Sequence, residues 1–183
     1  MSKSYGEGDA FPDFTMETPD GGSLTKANLA GRKAVIFFYP KDNTPGCTTE
    51  AKDFTELKPA FDAAGVRLIG VSKDSAKKHQ NFIAKHDLKV ELATDAAEGG
   101  LSDTLGVWGE KKMYGKTFMG IERATFLIDG RGDIARVMNV LARAAGALLL
   151  DGGAVIIELQ RDPHHVIALI GQHGGDDGAV DPA

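Results

Sequence analysis

The sequence predicts an α/β fold, a mixed central sheet flanked by helices, and three observations carry that reading. Short apolar runs alternate with helical stretches between residues 34 and 137. The turn Asp129-Gly130-Arg131-Gly132-Asp133 joins the last two apolar runs as a hairpin, so the sheet is mixed rather than all parallel. The composition is that of a folded chain, with 42% hydrophobic and 26% charged residues in 183.

The elements follow in order. Residues 10–16 and the turn Pro19-Asp20-Gly21-Gly22 suggest a small extra amino-terminal hairpin before the sheet. Runs at 34–39, 66–72, 124–128 and 133–137, with a weaker one at 90–94, read as buried strands. Residues 53–61 place Phe54, Leu57 and Phe61 on one helical face, with a kink expected at Pro59. Residues 75–86 carry Phe82 and Ile83 among Lys77, Lys78 and Lys85, which is an amphipathic helix.

Past residue 137 the composition changes. All 14 lysines lie at or before Lys116 and the last aromatic residue is Phe126, whereas residues 138–183 hold only Arg143 and Arg161 against six acids. Residues 1–137 therefore form the expected domain, and 138–183 an atypical, partly disordered carboxy-terminal tail. Within the tail, 140–150 could pack as a helix and 154–159 as a strand, and 171–183 reads as a disordered Gly- and Asp-rich end.

Charge and cysteine content exclude several classes of function. A net charge of −5 offers no general attraction to nucleic acid or to anionic lipid. No apolar run reaches the ~18 residues needed to span a bilayer, and residues 1–14 lack a signal-peptide core, so a soluble protein with no membrane partner is expected. The only cysteine, Cys47, cannot form an internal disulfide, which fits a reducing cytoplasm. His79, His86, His164, His165 and His173 show no ligand spacing, so scattered surface histidines are expected, with no metal and no cofactor.

Cys47 stands where chemistry is expected. After the strand at 34–39 the chain runs Pro40-Lys41-Asp42-Asn43-Thr44-Pro45-Gly46-Cys47, a loop that opens a helix with Thr44 as N-cap and Pro45 as first helical residue. Cys47 then falls in the first turn, where free N–H groups and the helix dipole favour a thiolate. The competing reading is an inert, buried free cysteine.

The segment Pro40-x-x-x-Thr44-x-x-Cys47, preceded by Phe37-Phe38-Tyr39 and followed by Thr48-Thr49-Glu50-Ala51, resembles the active-site signature of the peroxiredoxins, in their bacterioferritin comigratory protein or PrxQ branch. The resemblance extends through Ile69-Gly70-Val71-Ser72, Tyr114-Gly115-Lys116, Met119-Gly120-Ile121-Glu122-Arg123 and Thr125-Phe126-Leu127-Ile128-Asp129. It implies a thioredoxin-like fold with an added amino-terminal hairpin. By position, Cys47 matches the peroxidatic cysteine, whose thiolate attacks a hydroperoxide and becomes a sulfenic acid. Thr44 matches the hydroxyl that hydrogen-bonds thiolate and peroxide, Arg123 the guanidinium that lowers the thiol pKa and holds the reacting oxygens, and Pro40 the residue that shields the pocket. The N–H groups of Gly46 and Cys47 are further donors for the charge on the leaving oxygen. Read without the resemblance, Arg123 is equally a surface residue paired with Glu122, and Thr44 only a cap.

The chain also departs from the family pattern. Many members of this branch carry a second cysteine five residues after the first, and here that position is Lys52. The resemblance then implies a one-cysteine cycle on hydrogen peroxide and organic hydroperoxides, resolved by an external thiol such as thioredoxin, glutaredoxin or glutathione, in a monomer or weak dimer. The alternative is a thioredoxin-fold redox sensor or binding protein without turnover; a chaperone using the apolar tail is less favoured. Glu98-Gly99-Gly100-Leu101 resembles a glycine motif of peroxide-sensitive members but is followed by Ser102, and reads as a plain loop.

Overall fold

A computed structural model describes residues 5–113, 115–139, 146–150, 153–158 and 167–171. The chain opens with β1 (Thr15–Glu17) and β2 (Ser23–Thr25), then β3 (Lys33–Phe38), α1 (Pro45–Ala63), β4 (Val66–Ser72), α2 (Ala76–His86) and β5 (Glu91–Thr94). The short helix α3 (Leu101–Thr104) leads to β6 (Trp108–Met113) and β7 (Lys116–Ile121), followed by β8 (Ala124–Ile128) and β9 (Ile134–Asn139). Three further strands are β10 (Gly146–Leu150), β11 (Gly153–Glu158) and β12 (Ile167–Gly171).

Seven strands form the central sheet in the order β2-β1-β5-β4-β3-β8-β9. Strands β3, β4 and β5 are parallel neighbours, joined through α1 and α2 as crossover helices must join them. Strand β8 adds antiparallel to β3 and β9 antiparallel to β8, and β1 adds antiparallel to β5, with β1 and β2 paired around the turn at Pro19–Gly22. The sheet is therefore mixed, as the Asp129–Asp133 turn implied. Asp129 closes that turn by accepting from the backbone N–H groups of Arg131 and Asp133 through its carboxylate.

Alternation along β3 builds the two faces of the core. Ala34, Ile36 and Phe38 pack with Phe11, Ile69 and Phe126, whereas Val35, Phe37 and Tyr39 pack with α1 and α2 residues such as Phe54 and Phe82. Both faces of the parallel trio are covered, which is why these strands read as continuous apolar runs. Each fully buried Phe contributes about 1.5–3 kcal/mol relative to exposure. Phe37 and Phe54 stack at 4.5 Å with 28° between ring planes, fixing α1 on the sheet. Gly70 makes room for that stack, since a Cβ there would lie 2.6 Å from Phe37 Cζ.

Four differences from the sequence reading have local causes. Helix α1 runs without interruption through Pro59 and joins the start expected at Pro45 to the stretch expected at 53–61, because packing on the sheet outweighs one missing N–H. The hairpin β6–β7 was not legible, because β7 is exposed along most of its length and carries no apolar alternation. Leu101 begins α3 instead of continuing a loop: the Asp95 carboxylate accepts from the N–H groups of Leu101 at 2.9 Å and Ser102 at 2.7 Å, satisfying the first turn. Gly100 permits this approach, since its Cβ would lie 2.2 Å from Asp95 Oδ1.

The fourth difference is in the tail. Residues 146–150 are strand β10 rather than part of a helix at 140–150, because they pair antiparallel with β11 from Gly146↔Ile157 to Leu150↔Gly153. Strands β10, β11 and β12 form a separate sheet, and β11 coincides with the expected strand at 154–159. The rest of the expected helix, and all of the expected disordered end after Gly171, lie outside the described residues.

Candidate active site

The site is built where β3 hands the chain to α1. Asn43 takes a left-handed conformation (φ 59°), which Asn tolerates, and the chain then enters α1 at Pro45 with Thr44 as N-cap residue. The first backbone bond of the helix runs from Thr48 N–H to Thr44 C=O at 2.9 Å. The amides of Gly46 and Cys47 therefore precede the intrahelical ladder, as at any helix start. Cys47 is 3% exposed and belongs to the apolar cluster that holds Phe37, Tyr39, Ala51 and Phe54.

Arg123 reaches this cysteine from the link between β7 and β8. Its Nη2 donates to Cys47 Sγ at 3.2 Å, and its Nη1 pairs with Glu50 Oε2. Glu50 lies one helical turn beyond Cys47, so both side chains occupy the same face of α1. The carboxylate is buried and the guanidinium partly so, and one planar fork thus serves a carboxylate and a sulfur together. Arg123 is accordingly not a surface partner of Glu122; Glu122 is exposed and its N–H donates to Val107 C=O at 2.7 Å. Glu50 stands within the motif, and the motif alone assigns it no role. Its three-residue spacing from Cys47 was the available signal.

The other expected site residues sit around this pair. The Thr44 hydroxyl makes no capping bond and donates instead to Lys41 C=O at 3.0 Å, because the loop turns that carbonyl toward it. Pro40 is exposed at the start of the loop, and Tyr39, Ala51 and Phe54 lie in the buried cluster with Cys47. Gly46 is half-buried beside Cys47.

Beneath the loop lies a polar network that the sequence did not reveal. Tyr39 Oη donates to Asp42 Oδ1 at 2.7 Å, and His79 Nδ1 lies 2.9 Å from Asp42 Oδ2 and 3.3 Å from Tyr39 Oη. The Nδ1–Oδ2 contact is a close approach rather than an aligned hydrogen bond. Burial pushes the Tyr39 phenol well above its ordinary 10.0, and the Asp42 carboxylate pushes it further. Burial also raises Asp74, but hydrogen bonds from Asp42 N–H, Lys78 and Ser72 outweigh it and hold the carboxyl below 3.8. His79 is fully buried, which corrects the expectation of surface histidines: Phe82, on the same helix, draws this face of α2 into the core.

A buried cysteine at a helix start, with a guanidinium on its sulfur and a carboxylate orienting that guanidinium, is suited to attack on a weak O–O bond whose departing oxygen gains negative charge. Comparison with known proteins agrees. The AhpC/TSA family model matches residues 7–137. Peroxiredoxin Bcp of Xanthomonas campestris is 46% identical over 135 residues, covering 74% of this chain and 84% of that protein. Peroxiredoxin Bcp of Bacillus subtilis is 43% identical over 129 residues, covering 70% and 82%. A solved structure of the X. campestris bacterioferritin comigratory protein, described for its alkyl peroxide reduction activity, superposes with a TM-score of 0.67 at 40% identity, covering 76% of this chain and 87% of that one.

The chain belongs to the AhpC/TSA family, with peroxiredoxins of the Bcp and PrxQ group as its relatives. It has their thioredoxin-like fold and is a thiol-dependent peroxidase.

Proposed function

We propose that this peroxidase works by a one-cysteine cycle on Cys47, and that the 3.2 Å approach of Arg123 Nη2 to the sulfur is the observation that carries it. The Cys47 thiolate attacks one peroxide oxygen; the S–O bond forms as the O–O bond breaks. The other oxygen leaves as an alkoxide or hydroxide and takes up a proton. Arg123 and the amides of Gly46 and Cys47 oppose the charge that develops there. Thr44 joins when its hydroxyl leaves Lys41 C=O, and Pro40 borders the entrance. The sulfenic acid then condenses with an external thiol, forming a mixed disulfide and releasing water. A second thiolate attacks the external sulfur and returns Cys47.

Substrates in this reading are hydrogen peroxide and alkyl hydroperoxides, and the reductant is thioredoxin, glutaredoxin or glutathione. With Cys47 as the only cysteine, no internal thiol competes for the sulfenic acid. Among the described residues no helix is long and apolar enough to cross a membrane, and we place the enzyme in the cytoplasm as a monomer or weak dimer. We assign catalysis to residues 1–137 and treat 138–183 as an appended tail; the family match ends at residue 137.

Peroxide consumption with dithiothreitol, and separately with a thioredoxin system, tests the cycle. The wild type turns over, and Cys47→Ser is inactive because a serine hydroxyl is un-ionised near neutral pH. Oxidation of Cys47 once, with no turnover in any thiol, would favour the redox-sensor reading instead.

A further inference from the structure

Cys47 is 3% exposed, yet in the one-cysteine cycle an external sulfur must come within about 2.05 Å of it to form a mixed disulfide. Some part of the cover has to move. The segment joining β3 to α1 is the part with the fewest apolar anchors: of residues 40–46, only Asp42 is buried. Its fastening to the body of the protein is therefore polar and centres on Asp42.

Asp42 is hydrogen-bonded at two points and closely faced at a third. Its N–H donates to Asp74 Oδ2 at 2.8 Å, its Oδ1 accepts from Tyr39 Oη at 2.7 Å, and its Oδ2 faces His79 Nδ1 at 2.9 Å. Asp74 is itself fixed by the Ser72 hydroxyl at 3.1 Å and by Lys78 Nζ at 3.1 Å. Among the described residues His79 Nε2 is buried without a hydrogen-bond partner, so the tautomer with its proton on Nδ1, facing the carboxylate, leaves no buried N–H orphaned. One residue further along the segment, Asn43 Oδ1 lies 3.1 Å from His86 Nε2, seven residues beyond His79 on the same face of α2. The segment is thus buttoned to α2, an element that takes no direct part at the sulfur.

We propose that His79 is a positioning residue: with Asp42 it latches the segment before Cys47 in the closed arrangement, favouring attack on peroxide and slowing access of the external thiol. The inference rests on the one-cysteine cycle proposed above. Closed, the segment holds the start of α1 so that Cys47 meets Arg123. Released, it exposes the sulfenic sulfur, and the incoming thiol forms the S–S bond as water leaves. A residue that only stabilised the fold would affect both steps in the same direction. A latch affects them in opposite directions.

The two steps can be measured separately by rapid quench and mass spectrometry. Reduced enzyme is mixed with hydrogen peroxide to follow sulfenic acid, and pre-formed sulfenic enzyme is mixed with glutathione to follow the mixed disulfide. In His79→Ala the first step is expected to slow about tenfold and the second to quicken by about the same factor, the scale of one lost tie. His79→Asn, which can still donate toward Asp42, restores both toward wild type. Circular dichroism establishes that the variants are folded. If His79→Ala does not fold, Asp42→Asn must give the same opposed shifts. Both steps falling together, or neither changing, in a folded variant overturns the latch. A wild type whose sulfenic form is not reduced by any thiol overturns the cycle on which it rests.

Discussion

Glu50 and Arg123, 73 residues apart in sequence, form a partly buried ion pair that turns the second guanidinium nitrogen toward Cys47 Sγ. Glu50 thereby aims Arg123 and does not touch the sulfur itself. Replacing Arg123 with Lys keeps the charge but loses the fork, so one ammonium cannot serve both partners. We expect Arg123→Lys to slow single-turnover oxidation of Cys47 by about 10² and Glu50→Gln by roughly tenfold, each in a folded protein. An unchanged rate in Arg123→Lys would remove the fork from the mechanism.

Lys52 tests whether the start of α1 can open. In an unbroken helix, residues 47 and 52 are separated by a rise of about 7.5 Å and their Cα atoms by about 8.6 Å. A disulfide needs less than ~7 Å. Lys52 is exposed. Lys52→Cys is expected to form an internal disulfide after peroxide treatment, visible by mass spectrometry, because Gly46, Thr48 and Thr49 are poor helix formers that let the first turns unwind. Two unlinked thiols, or overoxidised Cys47, would mean that the helix stays closed. The wild type, deprived of external thiol, should proceed to sulfinic acid.

Gly70 sets how closely α1 and the sheet approach. A methyl there meets Phe37 Cζ at 2.6 Å and Leu92 Cδ2 at 2.9 Å, and Phe37 is stacked on Phe54 and cannot retreat. Gly70→Ala should destabilise the protein by about 1–3 kcal/mol in urea unfolding. A loss below a few tenths would show that Phe37 has room to shift.

Asp74 links stability to acid. Its folded-state pKa lies below 3.8 because the bonds from Asp42 N–H, Lys78 and Ser72 outweigh burial, so the folded protein binds this proton less readily than the unfolded chain. The stability it contributes is therefore fully present above the unfolded value and is lost as pH falls through the depressed folded value. Asp74→Asn should flatten the acid limb of the stability profile below pH ~4 and leave its shape near neutrality unchanged. An acid limb identical to wild type would show that Asp74 is not the group responsible.

The sequence by itself determined the strand order of chemistry along the chain. Apolar runs fixed β3, β4 and β8, the Asp129–Asp133 turn fixed the β8–β9 hairpin, and Thr44-Pro45 fixed where α1 begins and hence that Cys47 sits in its first turn. These are local signals: alternation, turn residues and capping act over a few positions and survive without knowledge of the fold. What only the tertiary structure decided depends on which distant residues meet. Whether Arg123 answers Glu122 or Glu50 is invisible in sequence, since either pairing satisfies the charges. The burial of His79 is likewise settled by the packing of α2 on the sheet, where Tyr39 meets it; its i,i+3 spacing from Phe82 marks the shared face but not how deeply that face is covered. The strand at Gly146–Leu150 was decided by its partner, as a short apolar run suits either helix or strand until a neighbour supplies the ladder.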